Sequence, residues 1–223
     1  MINSQLFLEK YQPLFFNDFE QITNITKVLN TLINTDTLNI LFMGDIGTGK
    51  TVFVNATIRE YYNNIPREKY INNILYITSL KEQGINFYRN DVKTFCQTCS
   101  EIKGKKKIII LDDIDIINEQ SQQVFRNYID KYSNNIHFIC SSTNPQKVIE
   151  SLQSRLIIIK ILPIGQPELY NIANKIITEE KLIITEEAIQ FIIEISNNNP
   201  KILINYMEKF KLLEKHINIS IVM

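Results

Sequence analysis

Residues 44–51 read GDIGTGKT, and this stretch decides the fold. Phosphate oxygens need backbone N–H groups turned into a tight loop, and Gly44, Gly47 and Gly49 permit that close approach. Lys50 follows where an ammonium reaches the terminal phosphates, and Thr51 where a hydroxyl ligates Mg²⁺. Outward from the loop, Ile40–Met43 is an apolar strand before it and Val52–Tyr61 a helical pattern after it. The start of such a helix adds its positive dipole end. Gly44, Asp45, Ile46, Gly47, Thr48, Gly49, Lys50, Thr51 and Val52 are therefore the expected nucleotide contacts.

The second decisive stretch is Lys107–Asp115, KIIILDDID. A buried strand that delivers acids at its C-terminal end places a carboxylate at the metal. Asp112 is the candidate ligand, directly or through a metal-bound water, and Asp113 the candidate that orients and deprotonates the attacking water. Together the two stretches imply a P-loop nucleotide-binding fold with ATP and Mg²⁺ as its ligands.

Short apolar runs recur at Asn39–Met43, Asn73–Thr78, Lys107–Leu111, Ile136–Ser141 and Leu156–Ile161. Each has the length of a strand buried on both faces, as parallel sheets require. Amphipathic stretches lie between them, such as Phe19, Ile22, Ile25, Leu29 and Leu32. The expected architecture is α/β, a parallel sheet with helices on both faces. After Pro163 only helical patterns remain, at about 166–179, 185–195 and 200–213. Thr185 is a candidate N-cap, and Pro200 suits a first helical turn. The expected domains are thus residues 1–162, the nucleotide-binding α/β domain, and 163–223, a small helical lid.

Composition narrows the rest. The 223 residues are 44% apolar and 22% charged, with a formal net charge of zero, so bulk charge does not mark a nucleic-acid binder. Three cysteines make no disulfide framework, and the pair Cys96 and Cys99 has no second pair to complete a zinc site. The start, MINSQLFLEKYQPL, lacks a basic segment followed by an apolar core. No apolar run approaches the roughly 20 residues that span a bilayer. A soluble intracellular protein is expected, nuclear, or cytoplasmic if the Ile- and Asn-rich usage reflects an AT-rich viral genome.

Four further segments choose among the uses of such a fold. Glu9-Lys10-Tyr11-Gln12-Pro13 resembles the EKYRP box of the replication factor C small subunits. GINFYRNDVKTF (84–95), STNPQKVIESLQSRL (142–156) and SNNNPKILINYM (196–207) resemble that family's GIDVVRxKIKxF segment, its sensor 1 stretch running into SRC, and its lid segment. The resemblance spans nearly the whole chain in the family's order. It implies an AAA+ ATPase, a clamp-loader subunit acting with sister subunits on a sliding clamp and primer-template DNA.

Carried over residue by residue, Thr143 falls at sensor 1, with Asn144 beside it as the alternative. Arg155 matches the arginine finger inserted into a neighbouring subunit's site; a salt-bridged surface arginine is the plainer reading. Lys201 stands where the family has the sensor 2 arginine of the lid, and a solvent-facing lysine is its plainer reading. Arg89 and Lys93, four apart on a helix, match the face that follows DNA phosphates, unless they belong to an ordinary solvated face. Lys103–Lys107 reads as a solvated basic loop sooner than a DNA contact.

Four positions depart from the pattern: Gln12 for arginine, Asp113 for the glutamate of DExD, Lys201 for arginine and Leu156 for the cysteine of SRC. The family continues into a helical collar that this sequence lacks, which fits a fragment, a shortened viral paralogue or a subunit held by AAA+ contacts alone. Asp113 and Gln12 keep a second function open, a non-catalytic subunit that holds ATP and lends Arg155. Another AAA+ remodelling or helicase-loading role is a third.

Overall fold

In the computed structural model, residues 6–19, 23–78 and 85–213 are described; Ile22, Gly84 and the apolar tail beyond residue 213 lie outside them. Ile40–Met43 (β1) enters the phosphate loop, and Lys50–Tyr61 (α3) leaves it. Before them come Phe7–Lys10 (α1) and Thr23–Asn34 (α2). Arg67–Tyr70 (α4), Ile74–Thr78 (β2), Ile85–Gln97 (α5) and Lys107–Asp112 (β3) follow. Glu119–Tyr132 (α6), Ile136–Ser142 (β4), Glu150–Gln153 (α7) and Ile157–Lys160 (β5) complete the alternation. The described residues close with Gln166–Glu180 (α8), Glu186–Ile195 (α9) and Pro200–Leu213 (α10).

The five strands form one sheet in the order β2-β3-β4-β1-β5, and every pairing is parallel. Parallel strands need crossovers, and the helices that supply them cover both faces. Alternation along β1 shows the two faces. Ile40 and Phe42 pack with Leu29 of α2, Phe53, Val54 and Ile58 of α3, and Ile108 and Ile110 of β3. Leu41 and Met43 face the opposite way, toward Val92 of α5, Phe125 and Ile129 of α6, and Leu111 of β3. Complete burial of one such side chain is worth about 1.5–3 kcal/mol, which is why the central strands β1 and β3 read as apolar runs; β2 and β5, at the sheet edges, are buried only in part, against the expectation of burial on both faces.

The chain divides into two compact units, residues 14–161 and residues 1–13 with 162–223. The expected 1–162 domain is corrected at its start. Phe7 is buried among Leu169, Ala173 and Ile176 of α8 and Leu203, Met207 and Phe210 of α10. The Phe7 N–H donates to Glu208 Oε1 at 3.2 Å. One turn on, the Tyr11 hydroxyl donates to Glu180 Oε1 at 2.8 Å, beside the Lys10–Glu180 ion pair at 2.5 Å. The opening box therefore belongs to the helical unit, because its apolar residues complete that core. Within this unit Thr185 caps α9, its Oγ1 accepting a long bond from the Ala188 N–H, 3.4 Å.

The basic run before β3 is a solvated turn only in part: Lys103 and Gly104 are exposed, while Lys105 and Lys106 are half-buried. Lys107 is buried, with Nζ 2.7 Å from the Phe95 carbonyl, 2.5 Å from Thr98 Oγ1 and 3.7 Å from the Phe95 ring centre. Burial lowers its pKa. Lys106 pairs with Asp36 at 3.0 Å, and Lys105 lies over the Tyr61 ring. Three of the four lysines thus have partners inside the chain. Among the described residues no helix is long and apolar enough to cross a membrane.

At the strand starts, Asp36 also accepts from the Tyr61 hydroxyl at 2.9 Å and meets His137 Nε2 at 3.0 Å. The Leu38 N–H donates to His137 Nδ1 at 3.3 Å, which sets the neutral tautomer with its proton on Nε2. Burial, opposed in part by Asp36, brings the His137 pKa down to about 4. The unfolded chain takes up this proton near pH 6.5, the folded chain only near 4. Stability contributed at neutral pH is therefore lost as pH falls between those values, by roughly 2 kcal/mol at pH 5. Thermal unfolding at pH 7 and pH 5 should show the drop, and His137→Gln should flatten it.

Candidate nucleotide site

The C-terminal strand ends gather the predicted residues, as open α/β sheets do with their ligand sites. The loop after β1 has no room for side chains at its first position. A Cβ on Gly44 would lie 2.5 Å from the Ile161 carbonyl oxygen and 2.9 Å from Thr48 Oγ1. Gly49 caps α3 at φ +91°, a left-handed conformation that glycine adopts without penalty. Thr48 is buried and its hydroxyl closes the loop on the Asp45 carbonyl at 2.9 Å, while Ile46 stands 82% exposed at the tip. The first N–H groups of α3 have no partner within the helix. Val52 sits half-buried in its first turn.

Lys50 is buried, with Nζ donating to the carbonyls of Gly44 at 2.8 Å and Asp45 at 2.9 Å. Burial lowers its pKa, and Asp113, Asp115, Asp112 and Asp45 act the other way. Thr51 Oγ1 lies 3.4 Å from Asp112 Oδ2. The two expected metal ligands, separated by the whole crossover from α3 to β3, are thus brought together. Both are hard oxygen donors, which suits Mg²⁺. Among the described residues there is no cluster of three His, Cys, Asp or Glu able to hold a metal; phosphates and water would complete the coordination of an ion here. The glycine cradle, the buried lysine and this oxygen pair fit a nucleotide with its divalent cation.

Asp112 and Asp113 are fixed by a residue the sequence did not single out. Ser141 of β4 donates its hydroxyl to Asp112 Oδ1 and accepts the Asp113 N–H at 2.9 Å. The Tyr76 hydroxyl of β2 donates to Asp112 Oδ2 at 2.8 Å. Asp113 turns out of the strand at φ +53°, ψ +54°, a left-handed conformation that aspartate tolerates better than most residues. Burial and the neighbouring Asp112 and Asp115 raise its pKa against the pull of Lys50, which favours proton acceptance.

Thr143, just past β4, donates its hydroxyl to Asp115 Oδ2 at 2.7 Å, and the Asn144 N–H donates to the same oxygen at 3.0 Å. Burial raises the Asp115 pKa, but these bonds prevail and lower it. Asp115 thus positions the sensor candidate. Asn144 Oδ1 instead accepts from the Gln146 N–H at 3.0 Å, so its side chain is spent on the local turn.

Four further candidates remain. Arg155 Nε donates to Asp130 Oδ1 at 2.5 Å and its Nη1 to the Ser151 carbonyl at 2.6 Å; the guanidinium is held within its own chain. Arg89 and Lys93 are exposed on α5, opposite buried Tyr88, Val92 and Cys96. Lys201 is exposed at the second residue of α10 in the helical unit, its N–H donating to Asn199 Oδ1 at 3.0 Å.

A parallel five-stranded sheet with a phosphate loop after its first strand and acids after its third defines a P-loop ATPase fold. The chain belongs to the ATPase family associated with various cellular activities (AAA), whose model matches residues 40–163. Over nearly its whole length it is similar to replication factor C small subunits. It is 29% identical to small subunit 2 of Pyrobaculum islandicum over 98% of this chain and 68% of that protein. It is 27% identical to the small subunit of Methanocella arvoryzae over 100% of this chain and 68% of that protein. In structure it is similar to the RuvB Holliday junction branch migration motor of Thermotoga maritima, with a TM-score of 0.73. That likeness covers 95% of this chain and 70% of the other at 17% identity, and shows the fold alone. The resemblance read from the motifs and the AAA+ fold class therefore stand.

Proposed function

We propose that the chain is an ATP-hydrolysing clamp-loader subunit, which acts with sister subunits to place a sliding clamp on primer-template DNA. The observation that carries the ATPase half is the meeting of Lys50 and Thr51 with Asp112 and Asp113 at one end of the sheet. The clamp-loading half is supported by similarity to replication factor C small subunits across nearly the full chain.

In this reading the loop N–H groups and Lys50 hold the ATP phosphates. Thr51 and Asp112 hold Mg²⁺, which when bound neutralises charge on the phosphate oxygens. Asp113 accepts the proton of the attacking water, and Thr143, fixed by Asp115, orients that water or the terminal phosphate. Arg155 stabilises charge at a neighbour's site, Lys201 contacts nucleotide from the lid, and Arg89 and Lys93 meet DNA phosphates without sequence preference. The expected setting is a soluble one inside the cell, nuclear or viral-cytoplasmic.

A second reading, with ATP as a structural ligand, is favoured by Asp113, one methylene shorter than the family's glutamate. A clamp-retention assay on primed circular DNA, with sister subunits and clamp, tests the main reading. The chain should raise retention when ATP is added. Equal retention without the chain would refute clamp loading, and full retention by an Asp113→Asn variant would favour the structural reading.

A further inference from the structure

We infer that Tyr76 is a positioning residue for Asp112, and through it for the divalent cation of the nucleotide site; this rests on the reading of Thr51 and Asp112 as metal ligands. Tyr76 pairs with Ile110 across the parallel β2–β3 ladder, and Thr78 with Asp112. Side chains two apart share a face of the sheet, so Tyr76, Ile110 and Asp112 point to one side. Ile110 is buried there against α3, the helix that carries Thr51. The phenol is long enough to reach diagonally from its own pair to the next on the same face. Its hydroxyl meets Asp112 Oδ2 at 2.8 Å.

Asp112 is consequently held by hydroxyls from both flanking strands, Tyr76 of β2 on one oxygen and Ser141 of β4 on the other. A carboxylate with a donor on each oxygen cannot rotate freely, and Oδ2 stays turned toward Thr51 Oγ1, 3.4 Å away. Donors of this kind behind a metal ligand are worth about 10–100-fold in metal affinity. A shorter residue at position 76 could not span the diagonal. The ring itself contributes little to the core, since Tyr76 is 40% exposed on the edge strand. Its conspicuous contact is the hydroxyl.

Tyr76→Phe removes that oxygen alone. The test is binding of a fluorescent ATP analogue by the full chain, with Mg²⁺ titrated and again in EDTA, beside thermal unfolding of the ligand-free variant. We expect the Mg²⁺ midpoint to rise about tenfold or more, with affinity in EDTA and the unfolding temperature unchanged. An unaltered Mg²⁺ midpoint would overturn the role. So would an equal loss of affinity with and without Mg²⁺, the mark of a merely structural tyrosine. If the unaltered chain bound the analogue with no dependence on Mg²⁺, the metal-site reading would fall first and this inference with it.

Discussion

Replacing Lys50 with methionine is expected to weaken ATP binding by roughly 100-fold, since hydrogen bonds to charged groups contribute about 1.5–3 kcal/mol each and the phosphates would lose their only ammonium from the loop. Methionine keeps the buried stem, so the loss reports on charge and not on a cavity. Lys50 Nζ donates to two carbonyls of its own loop, those of Gly44 and Asp45. The loop itself thus holds the ammonium at the site, within reach of phosphate oxygens. Equilibrium binding of labelled ATP would measure the change, and unfolding curves would show the variant folded. Affinity within threefold of the parent would mean that the glycine-rich loop binds phosphate without its lysine.

The largest kinetic effect is expected at Arg155. An arginine supplied in trans to a phosphoryl-transfer site is worth about 10³–10⁵ in rate. Arg155→Ala should therefore depress turnover in the assembled complex by an amount in that range, and leave ATP binding by the isolated chain untouched. The geometry adds a condition. Arg155 is held by Asp130 of α6 and the Ser151 carbonyl, so it reaches a neighbour only by changing partner or by presenting its remaining nitrogen while Nε stays on Asp130. Asp130→Asn separates these: it speeds the complex if the pair restrains the arginine, and slows it if the pair aims it. Unchanged turnover in Arg155→Ala would reduce the residue to a surface ion pair. Lysine is no conservative control here, because it lacks the planar fork.

What the sequence disclosed follows from which forces are local. The central strands were legible because burial on both faces leaves no polar alternation, as in Ile108–Leu111. The phosphate loop was legible because close backbone approach demands glycine at fixed positions, Gly44 above all. Lys107 misled because adjacency to three other basic residues suggests solvent, whereas carbonyls, the Thr98 hydroxyl and a phenylalanine ring satisfy it inside. The opening segment misled because Phe7 and Tyr11 advertise an apolar side without saying whose core it completes; α8 and α10 do so. Tyr76, Ser141 and Asp115 were not singled out because their roles depend on register between strands distant in sequence. No periodicity encodes that a tyrosine on β2 lies one diagonal from an aspartate on β3.

Steady-state ATP hydrolysis, by the chain alone and then with sister subunits, sliding clamp and primed DNA, tests the central claim most directly. Turnover should be low for the isolated chain and rise severalfold in the full mixture, with the rise absent when the chain carries Asp113→Asn. Turnover that stays flat on every addition, while ATP is bound throughout, would contradict an ATP-driven clamp-loader subunit.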